Sequence, residues 1–531
     1  MNFSSLRDRS PPVPLVVLWL LAGIYLLTGI VGHDPWKTED AIHIGIAHAF
    51  LHGNDWLFPQ VAGEAWPHTP PLYHWVAAAL GRLLDGHLEF HNAARLATPL
   101  FGALFLVSLS GAARAFHGVP AGRLAPLLAI GTLGLLAPIH DAQPAIAGLA
   151  FAALAWWGGG LILLGRARGA LLLGAGLGLA FLAHGLVGVL MGLAVLPAPI
   201  FRRAWNSLAL ALVLAVVIGA SWPLALNSHA PALWASWWHN EFAEATAARS
   251  LPGLRHAELL AWATWPVLPL ACWGVWIHRR EPGGLVLPLL GALISLAWFL
   301  SGPARSLGIM VTLIPLMLLA SAAADRLRRG ASSAFGWFGL TTFSFAATLI
   351  WLGASAQALD WPPRIARNFD KLAPGHEVHY SFLALAFAIV VTLAWLVAWR
   401  LARTPWRASL QWAGGTTLFW VLIASLWFAW IDHAKSYRPV AQSLQAVLPA
   451  DMDCVERAGL GPAQRASLDY FAGIRTIAAA RGNHGGPCNL RLTLGDTDRV
   501  TPPGWTEIWR GGRPSDRKER WYLERRDTPE R

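Results

Sequence analysis

Charged residues are scarce in this chain. Only 13% of its 531 residues are Asp, Glu, Lys or Arg, whereas 55% are hydrophobic and 30 are Trp. A soluble globular protein carries roughly 25% charged residues. The deficit excludes an ordinary soluble domain and indicates an integral membrane protein.

Several functional signatures are also missing. The sequence has no phosphate-cradling P-loop and no nucleophilic serine motif, and its apolar runs hold little charge, which argues against an ion pump. The net charge of +11 comes from short arginine clusters between apolar runs. Such clusters are typical of the cytoplasmic loops of a membrane protein, not of a nucleic-acid surface.

Cysteine is rare too, with three in the chain. Cys272 lies in an apolar run, where we expect a packing role. Cys454 and Cys488 lie in the polar C-terminal region and can form a disulfide if that region is outside the cytoplasm. Three cysteines at these spacings do not make a metal site.

Apolar runs of about 20 residues each are needed for membrane-spanning helices. Thirteen candidates occur, at 13–32, 96–115, 122–139, 143–164, 169–183, 186–201, 205–226, 257–277, 284–301, 306–323, 335–355, 381–400 and 412–431. The fifth and sixth are nearly continuous and break around His184-Gly185. The first has no small-x-small cleavage site, so we expect a retained span and not a signal peptide.

Arginine placement predicts the orientation of these spans. With the N-terminus inside, each expected inner loop holds at least two arginines: Arg114 and Arg123; Arg166 and Arg168; Arg202 and Arg203; Arg279 and Arg280; Arg326, Arg328 and Arg329; Arg400, Arg403 and Arg407. The outer loops hold the acids and histidines. The run 71–84 is short and polar, and counting it as a span would invert this pattern, so we predict a helix at the membrane surface there.

The last hundred residues change in character. An odd number of spans leaves 433–531 on the outer side, and this tail contains β-rich pieces such as CNLRLTL and WTEIW. It is long enough for a small α/β domain. We therefore predict a transmembrane domain at 1–432, whose first outer loop is 33–95, and a second domain at 433–531.

The polar stretch 33–75 follows directly after the first apolar run. It holds five histidines before residue 70 and five carboxylates, among them those of Asp34, Glu39, Asp40 and Glu64. Ionisable groups beside a membrane span are by default a functional-site hypothesis. The alternative is a solvated loop that happens to be polar.

Two adjacent acids open a predicted helix in this stretch. Thr38 can cap a helix that starts with Glu39 and Asp40, because acids suit a helix N-terminus. The pattern after them predicts an amphipathic helix on the outer leaflet, with its acids at the mouth of the bundle. Adjacent acids cannot point the same way on a helix, so at most one acts directly as a base. Simple capping is the alternative, and for Asp34 it has equal weight.

A proline-rich segment, AWPHTPPLYHW, comes next. Its prolines stiffen the chain and leave His68 and Thr69 in a loop that can present polar groups to a substrate. The alternative is a turn between two interfacial helices. Upstream, His48 and His52 are four residues apart on one helix, a spacing compatible with a divalent metal; histidines that only solubilise the helix are the alternative.

Isolated polar residues recur at the outer ends of later spans: His140-Asp141, His184, Glu241 and Arg305. Acids, histidines and one arginine at the outer face of a bundle indicate a cleft for an anionic amphiphile, such as a polyprenyl-phosphate sugar. Arg305 is then the phosphate contact. For each residue taken alone, a role in its own loop is the alternative.

Short motifs in these stretches carry a resemblance. Trp36–Asp40 matches a W-x-P-D-E-type motif, Gly63–Leu72 an N-G-x-x-x-x-E-K-P-P-L-type motif, and GNDWLFPQVAG a G-D-W-x-x-P-x-x-N-G pattern. FLAHG, His140-Asp141, Ser301–Pro315 and SLDYFAG match further motifs loosely. Together they resemble the GT-C superfamily of polyprenyl-phosphate-sugar-dependent glycosyltransferases, in particular the bacterial aminoarabinose lipid A transferases and protein O-mannosyltransferases (families 39 and 83).

The resemblance implies an all-α polytopic membrane protein of GT-C type. About 13 transmembrane helices, interfacial helices in the first outer loop and a small C-terminal α/β periplasmic domain are expected, in a bacterial inner membrane. The implied activity is an inverting glycosyltransferase that moves a sugar from a polyprenyl-phosphate donor to lipid A, another glycolipid or a protein. No cofactor is required with certainty, a divalent metal is an option, and no nucleic acid is involved.

The resemblance also assigns residue roles. The Asp-Glu pair of the family is inverted here as Glu39-Asp40, and one of these two is the expected base. Lysines of the family motifs fall at His184 and Arg305, and the Glu-Lys before the two prolines falls at His68-Thr69. The expected substrate contacts are Asp34, His68, Thr69, Asp141, His184, Glu241 and Arg305. The alternatives are a catalytically silent relative that binds polyprenyl lipid or a partner protein, and a polyprenol-linked glycan ligase or flippase.

Overall fold

The computed structural model describes residues 13–36, 38–53, 55–246, 251–280, 283–377, 380–400, 404–449, 452, 454–478, 488–516 and 519–527. The described chain is helical up to Gln445, apart from one short hairpin, and forms a mixed sheet with one more helix beyond it. The α-helices before the sheet are Leu15–Leu27, Glu39–His52, Leu72–Leu83, Phe90–Arg95, Ala97–His117, Val119–Ile130, Pro144–Leu163, Gly169–Leu193, Ala198–Phe201, Trp205–His229, Pro231–Ala245, Leu254–Ala263, Val267–Ile277, Val286–Ser301, Leu313–Ser321, Arg329–Leu359, Pro363–Leu372, Phe382–Ala398, Arg407–Leu426, Phe428–Lys435 and Arg438–Gln445. Short 3-10 helices lie at Leu133–Leu135, Gly283–Leu285, Leu307–Thr312 and Ala324–Arg326.

Among the described residues, six helical stretches are long and apolar enough to cross a membrane, or up to eight if two bent pairs each count as one span. The six are Phe90–His117, Pro144–Leu163, Gly169–Phe201, Trp205–His229, Gly283–Ser301 and Arg329–Leu359. The bent pairs are Leu254–Ala263 with Val267–Ile277 and Arg407–Leu426 with Phe428–Gln445. Each of the thirteen predicted spans overlaps a helix, but several of these helices are short, so the number thirteen stays a prediction.

The helix Gly169–Leu193 is broken where the sequence predicts a break. His184 (φ −149°, ψ 26°) and Gly185 (φ 60°, ψ −148°) leave the helical conformation within it. A positive φ of this kind favours glycine, because a side chain would crowd the backbone. The fifth and sixth predicted spans are therefore two segments of one interrupted helix.

The first outer loop folds into two helices joined by a hairpin. Helix Glu39–His52 leads to the strands Gln60–Val61 and Glu64–Ala65, which pair antiparallel before helix Leu72–Leu83. Leu72–Leu83 confirms the short helix predicted at 71–84, and it is not among the membrane-length helices described above.

Two expectations for the first of these helices are wrong. Thr38 precedes the helix but makes no side-chain capping hydrogen bond. The helix is also not an amphipathic surface helix, because Ile42 and Ile46 on one face and Ile44 on the opposite face are all buried. On one side Gly45 lies against Ala466 of the tail, so closely that a Cβ would collide with it. The tail therefore covers a face of helix Glu39–His52 that the sequence pattern predicts to contact the outer leaflet of the membrane.

The tail forms a five-stranded mixed sheet. Its strands are Val455–Ala458, Ile477–Ala478, Leu490–Gly495, Trp505–Gly511 and Arg520–Arg526. Strand Val455–Ala458 pairs in parallel with Ile477–Ala478 and with Leu490–Gly495, whereas Arg520–Arg526 pairs antiparallel with both Leu490–Gly495 and Trp505–Gly511.

Helices Arg438–Gln445 and Pro462–Ala472 pack with this sheet. Val440 and Leu444 from the first helix and Leu468 from the second share an apolar core with Leu492 and Trp521 of the strands. The tail therefore combines α and β elements around its own core. The boundary between residues 432 and 433 stays a prediction.

Ion pairs hold the tail to the first loop. The Arg457 guanidinium contacts both oxygens of Glu64 at 2.6 and 3.0 Å, and Arg465 contacts the same carboxylate. Nearby, the Tyr470 hydroxyl lies 2.9 Å from Nδ1 of His91. Glu64 follows the positive-φ turn of the hairpin, so the tail fixes the hairpin in place.

The three cysteines differ in state. Cys454 and Cys488 are joined by a disulfide, with their Cα atoms 5.3 Å apart. Cys272 is free and exposed on helix Val267–Ile277, so the packing role expected for it is wrong. The apolar sequence around Cys272 belongs to a helix with one exposed face, and Cys272 lies on that face.

We predict that iodoacetamide modifies one cysteine when the purified, unreduced protein is denatured, and three when it is reduced first. Intact-mass spectrometry measures the number of added groups. A Cys272→Ser control should take up no label without reduction, because the other two thiols are bonded to each other. Three labels on the unreduced protein would contradict the disulfide.

Candidate functional site

A cavity of about 650 Å³ lies between the first outer loop and the later helices. It is lined by the start of helix Glu39–His52, by the loop 66–70, by the helix break and by residues 241–246 and 298–308. Six residues singled out from the sequence line it together: Glu39, His68, Thr69, His184, Glu241 and Arg305. Asp34, Asp40 and Asp141 do not line it.

Glu39 is the first residue of its helix, and its side chain is 46% exposed. Its Oε2 lies 3.2 Å from Nε2 of His43, one turn further along the helix. This is the one hydrogen bond to the Glu39 side chain among the described residues. The bond from His43 holds the pKa of Glu39 below its ordinary value despite partial burial. A half-exposed carboxylate, kept ionised, therefore faces the cavity.

Asp40 points the other way. Its oxygens accept hydrogen bonds from Arg95, at 3.1 Å from Nε and 2.8 Å from Nη2, and from the Ala142 backbone N–H at 2.8 Å. Burial alone would raise the pKa of Asp40, but the Arg95 guanidinium holds it below the ordinary value. Asp40 is thus a buried anion with a full set of partners, and the two adjacent acids differ in environment as the helix geometry predicts.

Asp34 connects the first loop to the chain after the last helix of the bundle. Its carboxylate accepts hydrogen bonds from Ser436 Oγ at 2.6 Å and from Arg438 Nη2 at 2.6 Å. Both partners lie at the start of the tail, outside the cavity. The role that the geometry supports for Asp34 is to hold these two segments together.

Two groups of side chains in the first loop carry atoms of the kind that bind metal ions. Asp34, Glu89 and His91 offer ligand atoms within 4.8 Å of one another, but Arg438 Nη2 already contacts both carboxylates, at 2.6 and 2.7 Å. A second cation would meet that guanidinium charge, so this donor set does not fit a metal ion.

The predicted pair His48 and His52 lies elsewhere on the first-loop helix. Their rings are 4.1 Å apart, and Nδ1 of His52 lies 3.1 Å from the carbonyl of His48. No third ligand joins them among the described residues. Metal dependence stays a prediction.

Glu241 sits at the helix break. Its Oε1 accepts a hydrogen bond from the Leu186 N–H at 2.6 Å, at the start of the second half of the helix. A Cβ on Gly185 would collide with this carboxylate. Burial raises the pKa of Glu241 to about 7. Glu241 therefore caps a half-helix inside the cavity wall, where free backbone N–H groups favour negative charge.

Asp141 lies behind the cavity wall, near Asp40. Burial and then the charge of Asp40 raise its pKa to about 7. The Thr98 hydroxyl donates to its backbone carbonyl at 2.7 Å. Asp141 is not among the residues that line the cavity, although the charge of Glu39 also acts on its carboxyl group.

Polar groups also lie along the cavity rim. Arg305 is 64% exposed and forms a 3.5 Å ion pair with Glu244, which also lines the cavity. In the loop 66–70, burial lowers the pKa of His68, so its ring is neutral near pH 7. The Thr69 hydroxyl is buried without a hydrogen-bond partner in the described chain, which leaves it available to a ligand.

The sequence interpretation missed His43, His74 and Arg95. Nδ1 of His43 lies 3.0 Å from Nε2 of His74, which comes from the second helix of the first loop. The four-residue spacing of Glu39 and His43 was a usable signal, but nothing in the sequence connects either residue to His74. Arg95 could have been noticed as a cation directly before an apolar run, on the predicted outer side where acids and histidines predominate.

Comparison with known proteins reveals a consistent likeness, although no protein-family model matches the chain. The undecaprenyl phosphate-alpha-4-amino-4-deoxy-L-arabinose arabinosyl transferase of Edwardsiella ictaluri is 29% identical over 293 residues, which is 51% of this chain and 51% of that protein. The second such transferase of Pseudomonas fluorescens is 27% identical over 347 residues, 60% of this chain and 62% of that protein. The chain thus matches only about half the length of the first relative and less than two thirds of the second.

The fold is shared along almost the whole chain. The crystal structure of ArnT from Cupriavidus metallidurans bound to undecaprenyl phosphate superposes with a TM-score of 0.70 at 18% identity, over 96% of this chain and 97% of that one. The apo form of the same protein gives a TM-score of 0.67. The predicted resemblance to the aminoarabinose transferases is confirmed.

We predict that Asp40→Asn lowers the stability of the protein much more than Glu39→Gln does. Asp40→Asn leaves Arg95 buried without its counter-charge, a loss of about 3–5 kcal/mol for a broken buried pair. Glu39→Gln removes a half-exposed partner and should cost less than about 1 kcal/mol. Thermal unfolding in detergent, followed by tryptophan fluorescence, measures both. Equal loss in the two variants would contradict the division of roles between these acids.

Proposed function

We propose that this protein is a membrane glycosyltransferase that takes a sugar from a polyprenyl-phosphate donor. The observation that carries the proposal is one cavity with a carboxylate on the first-loop helix and arginines at its rim. It lies in a chain with the fold of a protein crystallised with undecaprenyl phosphate. A carboxylate can accept a proton from a nucleophile, and a guanidinium can hold a phosphate.

Glu39 is the proposed general base. An acceptor hydroxyl loses its proton to the Glu39 carboxylate while its oxygen bonds to the anomeric carbon of the sugar. The bond from that carbon to the lipid phosphate breaks, and the phosphate keeps the electron pair. Attack from the face opposite the leaving phosphate inverts the anomeric centre. An acceptor phosphate, already ionised, would need no base.

The remaining cavity residues have proposed binding roles. Arg305 stabilises the departing phosphate, where negative charge grows in the transition state. His184, His68 and the unpartnered Thr69 hydroxyl contact the donor, and Glu241 shapes the pocket at the helix break. Asp40 takes no part in the chemistry, because its oxygens are already satisfied by Arg95 and Ala142.

The proposed location is the periplasmic face of a bacterial inner membrane. The disulfide supports this placement of the tail, since such bonds persist in oxidising compartments. The ion pairs between Glu64 and the tail support the same side for the first loop. The acceptor is lipid A, another glycolipid or a protein, and the division at residue 432 separates the bundle from the periplasmic domain.

A second candidate is a catalytically silent relative that binds polyprenyl lipid. The observation that favours it is the ion pair of Arg305 with Glu244, because the rim cation already has an anionic partner. In this case a lipid phosphate would displace Glu244 without any sugar transfer. Binding and turnover measured on the same protein distinguish the two candidates.

We predict that Glu39→Gln lowers kcat for sugar transfer by about 10²–10⁴-fold, the usual contribution of a general base. The assay follows release of undecaprenyl phosphate from a panel of undecaprenyl-phosphate sugars, including the aminoarabinose donor, with lipid A as acceptor. Glu507→Gln, the same substitution at a partly exposed position on the edge strand Trp505–Gly511 of the tail, is the matched control and should keep full activity. Full activity in Glu39→Gln would refute the base assignment, whereas lipid binding without turnover by the wild type would favour the second candidate.

We predict that Arg305→Gln weakens binding of undecaprenyl phosphate roughly tenfold or more. A charge-assisted hydrogen bond contributes about 1.5–3 kcal/mol, and each 1.4 kcal/mol corresponds to a factor of ten. Microscale thermophoresis in detergent measures the affinity. Arg279→Gln, in a predicted inner loop, should bind as the wild type does. Equal affinities for Arg305→Gln and wild type would remove Arg305 from the phosphate site.

A further inference from the structure

A line of hydrogen bonds runs from the cavity into the protein interior. It starts at Oε2 of Glu39, passes through His43 at 3.2 Å and ends at His74, 3.0 Å beyond. His43 is 3% exposed and His74 is fully buried. The half-exposed acid is thus supported by two buried imidazoles, of which His43 lines the cavity and His74 lies deeper.

The geometry of this line is fixed from both ends. Glu39 and His43 are four residues apart on one helix, so their side chains lie on the same face. His74 comes from helix Leu72–Leu83. The preceding residue, Tyr73, helps to hold this helix in place, because its hydroxyl lies 2.7 Å from Oγ1 of Thr98. Both imidazoles are buried, and His43 also lines the cavity wall.

Proton positions along the line follow from the chemistry of the groups. An ionised carboxylate only accepts, so the hydrogen bond to Glu39 requires a proton on Nε2 of His43. A neutral imidazole then has its lone pair on Nδ1. With His43 in this form, Nε2 of His74 carries the proton that faces Nδ1 of His43, and Nδ1 of His74 has no hydrogen-bond partner in the described chain. All donors point toward the cavity.

We propose that His43 is a positioning residue for Glu39, and that His74 fixes the tautomer in which His43 donates to it. The effect on catalysis rests on the proposed function, with Glu39 as base; the hydrogen-bonded line does not. His43 occupies one carboxylate oxygen and leaves Oε1 without a partner among the described residues. That oxygen is the one available to an acceptor hydroxyl.

The charged and titratable surroundings favour this arrangement. Besides His43, the groups that act on Glu39 are His184 across the cavity and Asp141 behind the wall. Around His43 itself are Glu39, His74, His184 and the ring of Tyr73. Burial, and then the neighbouring His43, hold the pKa of His74 well below its ordinary value, so His74 is neutral at physiological pH.

The protonation of Glu39 determines the direction in which activity changes with pH. The pKa of Glu39 lies below its ordinary value, and the bond from His43 is the largest cause. The carboxylate form, which the base needs, is present above that pKa and is lost as the pH falls through it. Without the donor, burial raises the pKa of Glu39. The acidic limb of activity then moves to higher pH.

Two measurements on the purified full-length protein test the proposal. Difference infrared spectroscopy follows the carbonyl band of protonated Glu39 as the pH is lowered, with Glu39→Gln identifying the band. The pH–rate profile of sugar transfer is recorded on the same variants. We expect His43→Phe to shift both the band midpoint and the acidic limb to higher pH. We also expect it to lower kcat roughly 10- to 100-fold, since a displacement of about 1 Å costs up to about 10²-fold, with little change in KM.

Three further variants complete the design. His43→Gln places an amide donor near the position of Nε2 and should restore the wild-type midpoint. His74→Phe leaves His43 in place but removes the group that fixes its tautomer, so the midpoint should shift in the same direction. This variant tests the proposal even if His43→Phe does not fold. His87→Phe, at an exposed site of the same loop, should leave the midpoint unchanged.

The outcomes separate this inference from the proposed function. Equal midpoints in wild type, His43→Phe and His74→Phe would overturn the inference even if sugar transfer is observed. Shifted midpoints in a protein that transfers no sugar would support the hydrogen-bonded line and remove the proposed activity instead. A shift for His43→Phe alone would overturn the role given to His74.

Discussion

The buried pair of Asp40 and Arg95 is the interaction on which the rest of the site depends. Arg95 is completely buried, and besides Asp40 it donates to the carbonyls of Ile30 and His33. Asp40 in turn accepts from the backbone of Ala142. This ion pair and its hydrogen bonds thus connect four segments. They are the end of the first apolar run, the first-loop helix Glu39–His52, the start of the next span and the loop before helix Pro144–Leu163. Two charges taken out of water are tolerated only with such a complete set of partners, so these segments have one mutual arrangement.

That arrangement decides what Glu39 can do. Successive residues of a helix point about 100° apart, because there are 3.6 residues per turn. Once Asp40 is directed into the protein toward Arg95, Glu39 must point to another side, which here is the cavity. The structural acid and the candidate catalytic acid are therefore neighbours for a geometric reason. One helix turn thus carries both a buried anion, Asp40, and a half-exposed one, Glu39.

The sequence predicted where the site residues lie better than it predicted which residues they contact. The charge pattern of the loops, the break at His184-Gly185 and the polar character of 33–75 are local or periodic signals, and the structure brings six of the predicted residues to one cavity. The contacts that define their roles are not local. Arg95 is 55 residues from Asp40, and His74 is 31 from His43, so no pattern along the chain links them. The wrong surface-helix prediction has the same origin, since the cover over Gly45 comes from Ala466.

The contacts between Glu64 and the tail have a consequence for the assembly of the protein during synthesis. The hairpin that carries Glu64 is made early, but its partners Arg457 and Arg465 lie 393 and 401 residues later. Asp34 likewise waits for Arg438. Until the ribosome has passed residue 465, these first-loop carboxylates lack the arginine partners that they have in the folded chain. The first loop therefore completes these contacts only after the tail has been made.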